Sequence, residues 1–171
     1  GMGKSTLAAS FALEESEFLT DDALIIDETD GIRAMPSHAS LRLWEDSVEA
    51  LVGDDRAQAR SYTNYSSKAR LLAGESLSHL EEPLPLLAAF LLELECASDI
   101  TIRALAGAER QMAWVNNSFL LDIEDRLLLA QHFDWTHRIA ETVPTFSLDY
   151  PRLYGMLPEV RATVTKHVAT L

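Results

Sequence analysis

Apolar positions along this chain switch between two periods, and the switches mark the elements. Leu7, Phe11 and the alanines around them recur at helical spacing, which predicts a helix over about 5–15. Phe18-Leu19-Thr20 reads as a short strand that stops at Asp21-Asp22, and 23–27 reads as a second strand. Thr29-Asp30-Gly31 supplies turn chemistry, so Ile32-Arg33-Ala34-Met35 is expected to return as the second arm of a hairpin that Pro36 ends. A loop through Ser37-His38-Ala39-Ser40 leads into Leu41-Arg42-Leu43-Trp44, and 45–51 reads as a short helix with an acidic start.

The middle of the chain is more polar. Residues 53–65 read as a mobile loop, Lys68-Ala69-Arg70-Leu71-Leu72 as a strand, and 73–85 as a polar connection. The apolar run 86–95 fits a buried strand or a helix segment, which periodicity does not separate. Thr101-Ile102-Arg103-Ala104-Leu105 alternates like a strand. From Ala106 the pattern becomes helical, over 109–115 and 123–142, with Leu120, Leu121, Leu127, Leu128 and Phe133 as the expected packing face. Residues 145–150 read as a late strand, and 157–171 as a terminal helix with Pro158 in its first turn. Strands dominate the first half and helices the second. The 171 residues suit one α/β domain over 1–171, with a mixed sheet and C-terminal helices.

Composition narrows the chemistry. A net charge of −13 repels nucleic-acid phosphates, so no nucleic-acid partner is expected. The single cysteine, Cys96, excludes an internal disulfide and a zinc cluster, and it reads as an inert core thiol. No apolar run approaches the roughly 18–20 residues of a membrane span. The longest, 84–94, is interrupted by Pro85 and runs into Glu93 and Glu95. No membrane partner is expected, and the default location is cytoplasmic.

The chemistry concentrates at the start. Gly1-Met2-Gly3-Lys4-Ser5-Thr6 ahead of a helix is the second half of the phosphate-loop pattern G-x-x-x-x-G-K-[ST]. The first glycine of that pattern, and the strand before it, are expected upstream of Gly1, so the chain reads as a fragment. Glycines let backbone N–H groups turn onto phosphate oxygens, and the helix N-terminus adds partial positive charge. Lys4 would reach the β- and γ-phosphates and Ser5 would ligate Mg²⁺. The plain alternative is a helix start with a Ser/Thr cap and no ligand.

Asp21-Asp22 form the second constellation. Phosphoryl transfer needs a carboxylate that positions or deprotonates the acceptor hydroxyl, and a predicted strand end is a place to hold one. The alternative is a solvated turn. Asp27-Glu28 fits either a Mg²⁺-binding strand end or a hairpin end. Lys68 and Arg70, on one face of their predicted strand, would clamp a γ-phosphate or an acidic substrate, and Arg42 is a similar candidate. A solvated strand edge is the competing reading. His38 reads as a surface group. His132 and His137, five apart, do not share a helix face and so do not suggest a metal site. Trp44, Trp114 and Trp135 read as core anchors.

These residues resemble the C-terminal kinase domain of the HPr serine kinase/phosphorylase family. Its G-x-x-G-x-G-K-S loop, helix and L-x-A-D-D strand end match residues 1–22 in order and spacing. Residues 33–47, with Leu105-Ala106-Gly107-Ala108-Glu109 and the stretch from Phe146 to Pro151, look like a divergent HPr-kinase-like branch. The resemblance implies a phosphate-loop kinase core related to phosphoenolpyruvate carboxykinases. It implies ATP and Mg²⁺ as cofactors and transfer of the γ-phosphoryl group to a serine hydroxyl of a protein or peptide. Gly1, Met2, Gly3, Lys4, Ser5 and Thr6 would bind the nucleotide. Lys4, Asp21 and Asp22 would be catalytic, with Asp22 the proton acceptor, and Ser5 and Asp21 would hold the metal. Arg42, Lys68 and Arg70 would meet substrate or phosphate. The family's L-E-I-R-G-x-G signature, tied to phosphorolysis, has no counterpart, the nearest segment being 41–45. Its upstream catalytic histidine would precede Gly1. A kinase therefore fits better than a kinase/phosphorylase. A nucleotide-binding regulatory or degenerate module without transfer is the alternative, and homo-oligomerisation is left open.

Overall fold

The computed structural model describes residues 3–14, 16–52, 59–60, 68–72, 77–94, 97–120, 122 and 124–171, and of 59–60, 68–70 and 72 only the backbone enters the description. Helices and strands combine in a mixed α/β chain, with five α-helices and three three-stranded sheets among the described residues. It divides into two compact units, Gly1–Pro85 with Pro151–Leu171, and Leu86–Tyr150. The predicted loop over 53–65 lies outside the described residues except for Ala59–Arg60, a short strand. Cys96 and Leu121 also lie outside them.

The first unit holds α1 (Lys4–Ala12), β1 (Ile25–Asp27), β2 (Arg33–Met35), β3 (Ser40–Trp44), α2 (Glu45–Val52), β4 (Ala59–Arg60), β5 (Lys68–Leu72) and β6 (Leu84–Pro85). The terminal helix, numbered α5 in chain order (Leu157–Val168), closes it and touches α1. The predicted hairpin is present. β1 and β2 pair antiparallel, and Gly31 at the turn sits at φ +78°, where glycine carries no Cβ penalty. Asp27 accepts from the Thr29 backbone N–H and hydroxyl at 3.3 and 2.8 Å, so this acid closes the turn. β6 adds to the β2 edge, a position where Pro85 is tolerated.

The second sheet has the order β3-β5-β4, antiparallel throughout. Alternation along β3 sorts its faces. Leu41 and Leu43 are buried, and Arg42 and Trp44 are exposed. Leu41, Leu43 and Leu71 form the core with Ala9, Ala12, Phe18, Val48 and Leu77. Each fully buried leucine there contributes roughly 1.5–3 kcal/mol. The alanines of α1 let that helix approach β3 closely. Trp44, expected as a core anchor, is 49% exposed because its position in the alternation falls on the face away from the leucines.

The predicted strand at Phe18-Leu19-Thr20 does not form. Phe18 makes an isolated parallel bridge to His79, bonding Ser78 and Leu80 through its own backbone. The Thr20 hydroxyl then donates to the Ala23 carbonyl at 3.0 Å, turning the chain. Asp21 and Asp22 therefore lie in a bend rather than at a strand end.

The second unit holds β7 (Ala89–Leu92), β8 (Thr101–Ala104), α3 (Gly107–Asn116), α4 (Arg126–Thr142) and β9 (Thr145–Asp149). β9 is central, parallel to β7 and antiparallel to β8, which makes this sheet mixed. The ambiguous run 86–95 thus contributes a strand. Thr145, Phe146, Ser147 and Leu148 are all buried, as a strand covered on both faces requires. Phe90 stacks on its register partner Phe146 at 5.3 Å. Trp114 donates to the Thr145 hydroxyl at 3.0 Å, and Gln111, buried between α3 and α4, bonds Thr136 at 3.1 Å and His137 at 3.1 Å. The expected packing face of α4 is misplaced. Leu127, Leu128 and Phe133 are exposed, and Thr136, Ile139 and Ala140 are buried in the C-terminal half of the helix, where Gln111 of α3 meets Thr136 and His137. Arg103 holds Glu109 by two hydrogen bonds at 2.9 and 2.8 Å. The hydrogen bond, with the charge behind it, lowers the Glu109 carboxyl from its ordinary value and raises the guanidinium.

Candidate functional site

The site begins at the N-terminus of α1. Gly3 sits at φ +80°, a left-handed conformation that a side chain would strain. It turns the chain directly into Lys4, the first residue of the helix. No side chain caps α1, and its first turn carries no acid. The N–H groups of that turn lack helical partners and carry the positive end of the helix dipole. Glycine thus stands where a Ser/Thr cap was the alternative, and among the described residues no side chain caps the donors of this turn. Lys4 is exposed and makes no ion pair among the described residues, and Ser5 is half-buried beside it. These residues fit a bound phosphate, and the Ser5 hydroxyl suits a hard cation such as Mg²⁺. Among the described residues, no group of three His, Cys, Asp or Glu is gathered to hold a metal without a nucleotide's oxygens. Gly1 and Met2 lie outside the described residues.

Thr6, in the same turn, is tied into a chain of hydroxyls. Its Oγ1 lies 3.0 Å from Ser47 Oγ on α2. Ser47 Oγ lies 3.2 Å from the Tyr154 hydroxyl, which donates to Asp46 Oδ2 at 2.9 Å. A carboxylate only accepts, so direction propagates backwards: Tyr154 donates to Asp46, Ser47 to Tyr154, and Thr6 to Ser47. The first turn of α1 is thereby fastened to the first turn of α2. Asp46, Ser47 and Tyr154 were not legible as site residues. They are joined across about a hundred positions, and each alone is an ordinary polar residue.

A second group lies at β3. Asp21 Oδ2 accepts from the Arg42 backbone N–H at 2.8 Å, and the Arg42 guanidinium lies 3.2 Å from Asp22 Oδ2. Both Asp22 and Arg42 are more than half exposed. The two acids thus divide their work: Asp21 holds the strand backbone and Asp22 pairs with the side chain. Backbone register sets Arg70 opposite Arg42 and Lys68 opposite Trp44. The structure therefore brings Asp21, Asp22 and Arg42 together and aligns β5 with them. It joins α1 to β3 by packing, but no hydrogen bond or ion pair among the described residues links Lys4 or Ser5 to the acids. His38 is exposed in its loop. His132 meets Ser118 at 2.8 Å and His137 meets Gln111, so the two histidines serve different contacts.

Compared with known protein families, curated proteins and solved structures, the chain matches none. No helix among the described residues is long and apolar enough to cross a membrane.

Proposed function

We propose that this chain belongs to an ATP-dependent kinase, similar to the HPr-kinase-like proteins, that phosphorylates a serine hydroxyl on a protein or peptide. One observation carries the reading: an uncapped helix N-terminus behind a left-handed glycine, with Lys4 and Ser5 in its first turn. In this reading the N–H groups around Gly3 and the Lys4 ammonium hold the triphosphate. Ser5 and Asp21 would hold Mg²⁺, which would supply neutralisation of the developing phosphate charge. The acceptor oxygen forms its bond to the γ-phosphorus as the bond to the β-bridging oxygen breaks, and the hydroxyl proton passes to Asp22. Asp22 retains acceptor capacity for this, because a carboxylate offers about four lone-pair sites and Arg42 engages only part of them.

Asp22→Asn is expected to lower transfer of labelled phosphate by about 10²–10⁴-fold, with ATP binding by titration calorimetry nearly unchanged. Undiminished transfer would remove Asp22 from the role. One observation favours the second reading, a nucleotide-binding module without transfer chemistry: Asp22 is already engaged by Arg42. Binding of ATP without transfer to any serine substrate would select it.

A further inference from the structure

The first turns of α4 stand clear of packing. Residues 126–131 are all exposed, and the first buried residue of the helix is Thr136. Leu127 is 66% exposed and Phe133 51%, although a surface helix ordinarily turns such residues toward a core. At about 100° per residue, Arg126, Leu127, Phe133 and Asp134 all fall within about 60° of Ala130, so the five share one face. That face is symmetric about Ala130. Leu127 and Phe133 lie three residues before and after it, and Arg126 and Asp134 lie four before and after. All five are exposed. The side chains of Arg126 and Asp134 make no hydrogen bond or ion pair among the described residues.

We propose that this face pairs with the same face of a second copy of the chain, the two α4 helices running antiparallel about a two-fold axis at Ala130. In such a pair each residue stands level with the one equally far beyond the axis, and every contact occurs twice. Arg126 then stands level with Asp134 of the second copy, and Leu127 with Phe133 of the second copy. Charge and apolar surface are both self-complementary in this direction. A parallel pair would instead set Arg126 against Arg126 and Asp134 against Asp134, like against like. Ala130 at the axis has no side chain beyond Cβ, so the helices can approach to about 8 Å, the short end of the interaxial range. A net charge of −13 opposes self-association, so an interface between copies needs cations matched to acids, as Arg126 and Asp134 supply. Little more than two helical turns make a small interface against the roughly 1,600 Å² of a standard one, so the dimer is weak and concentration-dependent. The inference stands on α4 and is independent of the kinase reading.

Sedimentation velocity on the whole chain, from micromolar to about millimolar concentration at physiological salt, is the test. The expected result is a monomer–dimer equilibrium. Leu127→Gln should weaken it by about tenfold, since each substitution counts twice in a symmetric pair. Leu128→Gln, also exposed but on the far side of the helix, should leave it unchanged. Arg126→Asp and Asp134→Arg should each weaken the dimer by about tenfold, because each creates two like-charge contacts. Mixed in equal amounts, these two variants should dimerise with each other as well as the parent does, since every contact then joins opposite charges. Rescue on mixing also separates lost pairing from lost folding, because two misfolded chains would not restore each other. A chain that stays monomeric to the top of the range overturns the proposal and leaves the face to another occupant. A dimer indifferent to Leu127→Gln, or equally sensitive to Leu128→Gln, overturns it in favour of a different interface. So does failure of the two charge variants to associate when mixed.

Discussion

Tyr154 shows how much one hydroxyl can organise. Its bond to Asp46 sets the donor direction for Ser47 and, through it, for Thr6 in the phosphate-loop turn. Ser47 is 3% exposed, so its hydroxyl has little water to fall back on. Tyr154→Phe keeps the ring and removes the last donor. Urea unfolding should show a loss of about 0.5–1.5 kcal/mol, the usual net worth of one hydrogen bond. A variant as stable as the parent would mean that the chain of hydroxyls holds nothing. Thr6 was marked by its motif. Tyr154 was invisible in the sequence, because nothing local distinguishes a tyrosine that reaches a distant helix.

Among elements, α4 is the instructive one. Helical periodicity over 123–142 identified it, but the helix begins at Arg126. Asp125 decides this. Its side chain accepts from the backbone N–H groups of Leu127 and Leu128 at 2.8 and 3.1 Å, which caps the first turn. Asp125→Ala should cost about 1 kcal/mol in chemical denaturation. An unchanged midpoint would show that the cap contributes nothing. The apolar stripe of α4 misled because amphipathic period records which residues share a side, not which end of the helix is covered. The run 86–95 was ambiguous for a related reason. Its partner β9 lies far along the chain, and a parallel pairing carries no short-range turn signal.

For the whole molecule, charge is the dominant long-range term. The five ion pairs seen among the described residues, each with an exposed partner, stand against a net charge of −13 for the chain. Exposed pairs contribute about 0–1 kcal/mol each, so screening them loses little, and screening the net repulsion gains more. The melting temperature should therefore rise between low and physiological NaCl. A fall would show that specific pairs outweigh the global field.

The amino-acid order alone determined the local events: the helix after Gly3-Lys4-Ser5, the hairpin around Gly31, the inward leucines of β3. Each depends on backbone dihedral preference or side-chain period over a few residues, and neighbours in the chain carry that information. Tertiary structure decided what those events meet. It turned Asp21-Asp22 into a bend held by Arg42, aligned Arg42, Arg70 and Arg60, and brought Tyr154 to Ser47. Alternation says which side of a strand a residue takes, but backbone hydrogen bonds are the same for any partner strand. Only the burial of Leu41, Leu43 and Leu71 in one core selects the pairing, and with it the register of β3 on β5.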